Sequence, residues 1–170
     1  VLAEYVGGSI SSFVSMMNTK VNELGLTNSH FTNTYGKHDE NHYTTASDLA
    51  CIMQYCIKND DFRRIAGSAS CAIPATNKHN PRLYTTTNEL SIPNGRYYYS
   101  YLTAGKTGFT SPAKGCLVSS AYKDDLEFIC VVLGCDYTNS AARFTDTKKL
   151  YEYGFSNFSN KNVVNSNDVV

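Results

Sequence analysis

The chain has 170 residues, 42% of them apolar and 18% charged, which is enough to bury one sizeable core and implies one domain or most of one. Fifteen basic and 15 acidic side chains cancel to a net charge of zero, and no polybasic block singles out nucleic acid or anionic lipid as a partner. No run approaches the roughly 20 apolar residues that a membrane-spanning helix needs.

Helices come first along the chain. Ser9 is a candidate N-cap, and Phe13, Met16, Met17, Val21 and Leu24 recur at helical spacing up to Gly25, a suitable terminator. Residues 27–46 are rich in Asn, Thr, His and Gly and read as a long irregular connection, a kind of segment that often carries function. Ser47 can cap a second helix with Leu49, Ile52, Met53, Cys56 and Ile57 on its buried side, ending near Lys58-Asn59. Residues 71–100 hold three of the four prolines and several turn formers, so short strands and loops are expected there.

Three strand-like runs follow near 101–110, 115–122 and 126–134. The last, Leu126 to Leu133, is almost continuously apolar, as a strand covered on both faces should be. A final helix is expected from about Ser140 to Tyr153, with Ala142, Leu150 and Tyr151 among its apolar residues and Gly154 as its stop. The stretch Asn160 to Val170 is polar and reads as a boundary or linker. There is no internal repeat.

The six cysteines, at 51, 56, 71, 116, 130 and 135, form no Cys-x-x-Cys pair and no zinc-like spacing with histidine. Buried free thiols are the simpler reading. A disulfide between Cys116 and Cys130 is the alternative, because a hairpin turning at Lys123-Asp124-Asp125 would bring the two near-opposite. Six unassigned cysteines point to a reducing or anaerobic setting.

Several motifs fail on context. Ser111-Pro-Ala-Lys114 has the Ser-x-x-Lys spacing, but Gly115 and a strand follow at once and leave no room for the helical turn that would align the two side chains. Gly105-Lys106-Thr107 resembles the end of a phosphate-binding loop, yet Ser100 stands where its first glycine belongs and a strand follows. His38 and His42 flank Asp39 and Glu40 without a helical His-Glu-x-x-His pattern, so loop polarity is the better account and no metal site is expected. Tyr137-Thr-Asn139 reads as a turn and helix cap. Tyrosines 97, 98, 99 and 101 are candidates to wall a groove, although simple packing explains them more readily.

Lys106-Thr107-Gly108 on a strand is the tripeptide found as the third active-site motif of penicillin-binding proteins and serine β-lactamases. Around it, in order, stand Val1-Leu-Ala-Glu-Tyr-Val-Gly-Gly-Ser9, Phe13-Val-Ser-Met-Met-Asn18, Glu23-Leu-Gly-Leu26, His30-Phe-Thr-Asn-Thr-Tyr-Gly36, His42-Tyr-Thr-Thr-Ala-Ser-Asp-Leu-Ala50, Thr86-Thr-Asn-Glu-Leu90, Gly115-Cys-Leu-Val-Ser-Ser-Ala121 and Tyr153-Gly-Phe155. This ordered set resembles the low-molecular-mass serine D-alanyl-D-alanine carboxypeptidases, peptidase family S11, over roughly residues 1–158. The resemblance places 1–158 in the C-terminal portion of the catalytic domain and leaves 159–170 as a polar tail or a linker to a following region. In that family the nucleophile's Ser-x-x-Lys and the Ser-x-Asn motif lie ahead of the segment matching Leu2-Ala-Glu-Tyr5, so neither is expected within this chain.

The resemblance implies an α/β (α+β) transpeptidase/β-lactamase-like fold, an antiparallel sheet flanked by helices, here an incomplete domain with an uncovered sheet edge and uncovered apolar helix faces. It also implies removal of the terminal D-Ala of peptidoglycan stem peptides through a serine acyl-enzyme, with β-lactams as pseudosubstrates, no cofactor, and inactivity of the isolated chain. Lys106 becomes the candidate catalytic cation, and Thr107, Gly108, Phe109 and Thr110 the candidate substrate-binding residues, with the Phe109 N–H as half of an oxyanion hole. Two departures stand out. Lys114 replaces a usual glycine, and Thr87 stands where some members carry an arginine for the substrate carboxylate. The implied setting is extracytoplasmic, in a bacterial cell envelope, with the protein's own preceding segment as a partner and membrane association of the full protein open. A serine β-lactamase and a non-catalytic wall-binding or partner-binding module are the alternative functions.

Overall fold

In a computed structural model, which describes residues 1–136 and 141–161, Ser9 caps a helix as its sequence context suggests. Its side-chain oxygen accepts the Ser12 N–H at 3.0 Å, and the helix runs Ile10–Glu23 (α2) before Gly25 turns left-handed at φ 71°. A short helix, Leu2–Gly7 (α1), precedes it and ends at Gly8, also left-handed. Val1, Leu2, Tyr5 and Val6 are all largely exposed, so the expected uncovered apolar helix face is present. Between α2 and the third helix, Ala46–Cys56 (α3), lies an apolar groove of about 380 Å³ lined by Phe13, Met17, Val21, Ile52 and Tyr55 among others.

Two boundaries around α3 differ from expectation. Thr45, not Ser47, caps α3: its backbone is extended and its hydroxyl accepts the Asp48 N–H at 3.2 Å, whereas Ser47 already lies inside the helix. Asn59 does not simply end a helix. It caps another, Asp60–Ala66 (α4), by accepting the Phe62 N–H at 3.0 Å. That helix stops at Gly67, where a Cβ would lie 2.6 Å from the Thr103 carbonyl oxygen. The chain then forms a two-stranded ribbon, Ser70–Ile73 (β1) and Arg82–Thr85 (β2), and a single 3₁₀ turn at Glu89–Ser91.

The main sheet is antiparallel, with strands Leu102–Thr110 (β3), Lys114–Lys123 (β4) and Leu126–Cys135 (β5) in the order β3-β4-β5. The β4–β5 hairpin turns on Asp124 and Asp125, both with positive φ, the conformation that suits the right-handed twist of the flanking strands. Side-chain alternation splits the core in two. Leu117, Ala121 and Cys130 pack against Phe144 and Tyr151 of the last helix, Ala142–Asn157 (α5), whereas Ala104, Val118 and Ile129 face Met53 and Ile57 of the α3 end and Phe62 of α4. β5 is therefore covered on both sides, as its continuous apolar run requires. Arg63 of α4 adds a two-pronged ion pair to Glu127 of β5, at 2.6 and 2.9 Å, which also receives the Thr103 hydroxyl at 3.2 Å.

Gly154 is not a helix stop. α5 continues to Asn157, and Gly154 is needed inside it because a Cβ would come within 3.2 Å of the Phe128 ring. Ser140, the expected start, and the Tyr137-Thr-Asn139 turn lie outside the described residues.

The cysteines are free, and the alternative, a Cys116–Cys130 bridge, does not form. Cys130 pairs across the ladder with Ser119, three residues beyond Cys116, and a bulge between Gly115 and Leu117 shifts the register further. All six cysteines are free, but Cys130 alone of them is fully buried, and Cys51 and Cys71 are exposed.

Candidate active site

β3 is an outer strand, bonded to β4 along one edge, and it carries Lys106, Thr107 and Gly108 opposite Val118, Leu117 and Cys116. Alternation sends the tripeptide's side chains to opposite faces. Lys106 follows Ala104 onto the α3 side; it is exposed, and its Nζ donates to the Thr107 carbonyl at 2.6 Å. Thr107 follows Gly105 onto the other face, where its hydroxyl meets the Thr87 hydroxyl at 2.5 Å. Gly108 has room: a Cβ there would meet nothing nearer than the Cys116 Cβ at 3.7 Å. Phe109 is exposed opposite Gly115. The Thr110 hydroxyl accepts the Ala113 N–H at 3.1 Å and so serves the β3–β4 turn.

That turn contains Ser111, Pro112, Ala113 and Lys114. The last sits at φ 58° at the start of β4, so Ser111 and Lys114 are not on a helical turn and form no nucleophile–base pair. Tyr99 stacks on Tyr151 with ring centroids 5.3 Å apart, and Tyr97 packs against Phe144, which places both in the α5 core instead of along a groove at Lys106. Burial and the neighbouring Glu152 push the Tyr99 phenol up to about 12.

The segment after β2 is fitted closely to β3. Asn88, 1% exposed, accepts the Leu90 N–H through Oδ1 and caps the 3₁₀ turn. Its amide nitrogen lies 2.5 Å from where a Cβ on Gly105 would be, so the absence of a side chain at 105 is what lets Asn88 seat against the strand. Thr86 reinforces the bend by accepting the Asn88 N–H at 3.1 Å.

The long connection between α2 and α3 is irregular but well tied. Asn18 of α2 both donates to and accepts from the Phe31 backbone, at 2.7 and 2.9 Å. Buried Asp48 of α3 accepts the Asn28 N–H at 3.1 Å and the Ser29 hydroxyl at 2.7 Å. Asn33 Oδ1 collects the N–H groups of Tyr35, Gly36 and Lys37. These anchors escaped the sequence reading, although Asn three residues before Gly is a recognisable side-chain-to-backbone turn signal. The His42 ring accepts the Thr32 N–H at 3.1 Å, and burial lowers its pKa. Among the described residues no group of three His, Cys, Asp or Glu side chains is placed to hold a metal ion.

A family model described as D-alanyl-D-alanine carboxypeptidase, Peptidase S11, matches residues 1–137. The chain belongs to this family. Among members of the S11 carboxypeptidase family, it is 30% identical over 169 residues to D-alanyl-D-alanine carboxypeptidase DacF of Bacillus subtilis, covering 99% of this chain and 41% of the relative. It is 32% identical over 161 residues to DacC of Escherichia coli, covering 92% of this chain and 36% of the relative. The solved D-alanyl-D-alanine carboxypeptidase DacD of Francisella tularensis superposes with a TM-score of 0.83 at 26% identity, over 99% of this chain and 51% of that one. A Streptomyces DD-transpeptidase gives 0.76 at 31% identity, over 86% and 55%. The S11 chain therefore spans less than half the length of these two curated relatives and about half of the solved domains, and its sheet with helices on both faces is an incomplete α/β domain.

Proposed function

We propose that this S11 chain is the C-terminal portion, residues 1–158, of the catalytic domain of a serine D-alanyl-D-alanine carboxypeptidase, with 159–170 a polar tail or a linker to a following region. The enzyme it belongs to removes the terminal D-Ala from peptidoglycan stem peptides in a bacterial cell envelope, outside the cytoplasm, and is trapped by β-lactams. A serine and its lysine base, supplied by sequence outside residues 1–170, complete the site.

The chemistry divides one hard hydrolysis into acylation and deacylation. Lys106 supplies a cation beside the base lysine; like charges disfavour each other, so the base is more easily held neutral and able to take the serine proton. To reach that role the Lys106 ammonium leaves the Thr107 carbonyl, a move open to an exposed side chain. Thr107 donates its hydroxyl to the substrate's terminal carboxylate. Gly108 leaves space for the substrate backbone to lie along the strand as an added strand, and the Phe109 N–H stabilises the oxyanion, an interaction whose loss typically costs ~10²–10³ in rate. Thr110 shapes the end of the strand through the turn it holds.

The observation that carries this reading is the position of Lys106-Thr107-Gly108 on an outer strand, with lysine and threonine on opposite faces and open space over the glycine. Intact mass after incubation with penicillin, on this chain and on the full-length protein in parallel, tests it. A covalent adduct on the full-length protein alone is expected. An adduct on residues 1–170 would place the nucleophile within the chain, and no adduct on either would favour a non-catalytic binding module.

A further inference from the structure

The cations of this chain are not spread evenly. Residues 62–123 hold eight of the 15 Lys and Arg side chains and a single acid, Glu89, which leaves seven basic and 14 acidic side chains to the other residues. Overall neutrality therefore conceals a cationic segment, and that segment contains β3. Part of its charge is compensated, since Arg63 pairs with Glu127, Arg64 with Asp61 and Lys123 with Asp124. Lys78, Arg82, Lys106 and Lys114 are exposed, and among the described residues none of them pairs with an acidic side chain.

These four stand around the outer strand. Lys106 is on its α3 side. The β1–β2 ribbon is rooted on the opposite face, where Thr86 donates its N–H to the Ala69 carbonyl at 2.9 Å and the next residue, Thr87, meets Thr107. Arg82 stands on β2 opposite Ile73, and Lys78 in the connection that leads to it. Lys114 lies opposite Thr110, at the end of β3, in left-handed backbone at φ 58°. That conformation crowds a side chain, and strain of this kind gathers at functional sites.

We propose that Lys114, supported by Lys78 and Arg82, makes the site selective for acidic substrates, peptides that carry side-chain carboxylates in the residues ahead of D-Ala-D-Ala. The inference rests on the carboxypeptidase reading above, which puts the terminal carboxylate at Thr107 and the reacting carbonyl at Phe109. The preceding residues of the peptide then run on past Thr110 towards Lys114. Uncompensated cations along that path raise the local concentration of an anionic peptide, an effect that added salt screens.

The test uses the full-length protein and two N-acetylated pentapeptides ending in D-Ala-D-Ala with a free terminal carboxylate. They differ only in having glutamate or glutamine ahead of the D-alanines. The readout is the ratio of kcat/KM, acidic over amide. At low ionic strength the ratio should be about ten-fold, mainly through KM, and it should shrink as salt is added. Lys114→Gln, which keeps a side chain on the same backbone, should lower the ratio about three-fold, and Lys114→Arg should keep it. Adding Lys78→Gln and Arg82→Gln to Lys114→Gln should bring it near one, with penicillin uptake reporting that the variant is folded. A ratio near one in the unsubstituted protein overturns the proposal, as does a ratio that salt or the triple substitution leaves unchanged. Salt-sensitive binding of polyphosphate without any preference between the peptides would assign the cations to an anionic polymer and overturn it too. If the unsubstituted protein neither cleaves either peptide nor takes up penicillin, the carboxypeptidase reading fails and this proposal falls with it.

Discussion

Ser119 of β4 and Tyr151 of α5 share a hydrogen bond of 2.8 Å, and neither side chain is more than 1% exposed. The bond fastens the last helix to the middle strand, two residues from the β4 position opposite Thr107. Burial raises the Tyr151 pKa, so the phenol stays protonated and able to donate. Tyr151→Phe keeps the stacking on Tyr99 but leaves the Ser119 hydroxyl buried without its partner. Urea unfolding should show a loss of about 1–3 kcal/mol. Removing both groups in Ser119→Ala/Tyr151→Phe should cost less than the two single losses added together, and strict additivity would mean that the bond contributes nothing.

Stability should fall in acid because of Glu127. The Arg63 guanidinium, hydrogen-bonded and charged beside it, holds the Glu127 carboxyl below its ordinary 4.5, outweighing the opposing effect of burial. A depressed folded-state pKa means that the unfolded chain binds the proton more readily, so this contribution is fully present above about pH 4.5 and drains away as pH falls through the lower folded value. Glu127→Gln should flatten that part of the curve of stability against pH while lowering stability at neutral pH, since the carboxylate also accepts from Thr103. The comparison is urea midpoints at pH 7 and at steps below 4.5. Parallel curves for the two proteins would remove Glu127 from the account.

Lys114 occupies left-handed backbone at φ 58°, where a side chain crowds the following carbonyl. Lys114→Gly relieves that strain at the cost of a more flexible unfolded chain, for a net gain of roughly 0.5–1 kcal/mol. A thermal midpoint raised by a few degrees is the expected sign. No change would mean that the Lys114 side chain makes compensating contacts in the turn.

The strands were legible because their apolar runs are long and their turns carry strong signals, Asp124-Asp125 above all. The helix starting at Asp60 was not, because Asn59 reads as the end of α3 while its side chain simultaneously caps the next turn. Gly154 misled for a tertiary reason: a glycine near a helix end looks like a stop until the Phe128 ring is seen to fill the space beside it. At the site, Lys106, Thr107 and Gly108 came from the ordered family motifs, but the Thr87 contact is 20 residues distant in sequence and depends on Asn88 seating against Gly105. No periodicity in the chain reports such a contact.

The cysteines provide a graded test of the fold. Six free thiols predict six reactive groups in the denatured, unreduced chain, and any lower number would mean a disulfide. In the native state their order should follow exposure and thiolate fraction. Cys51 and Cys71 are exposed and should react first with a disulfide reagent at pH 8. Burial raises the pKa of Cys56 and Cys135, which slows them; Cys135 is raised further by Asp146 and Cys116, although Arg143 acts the other way. Cys130 lies inside the core between β5 and α5, where desolvation raises its pKa, and it should react only as the domain opens. A Cys130 that reacted as fast as Cys51 would mean that α5 leaves the sheet readily, and the Ser119–Tyr151 bond could not then be the fastening it is taken to be.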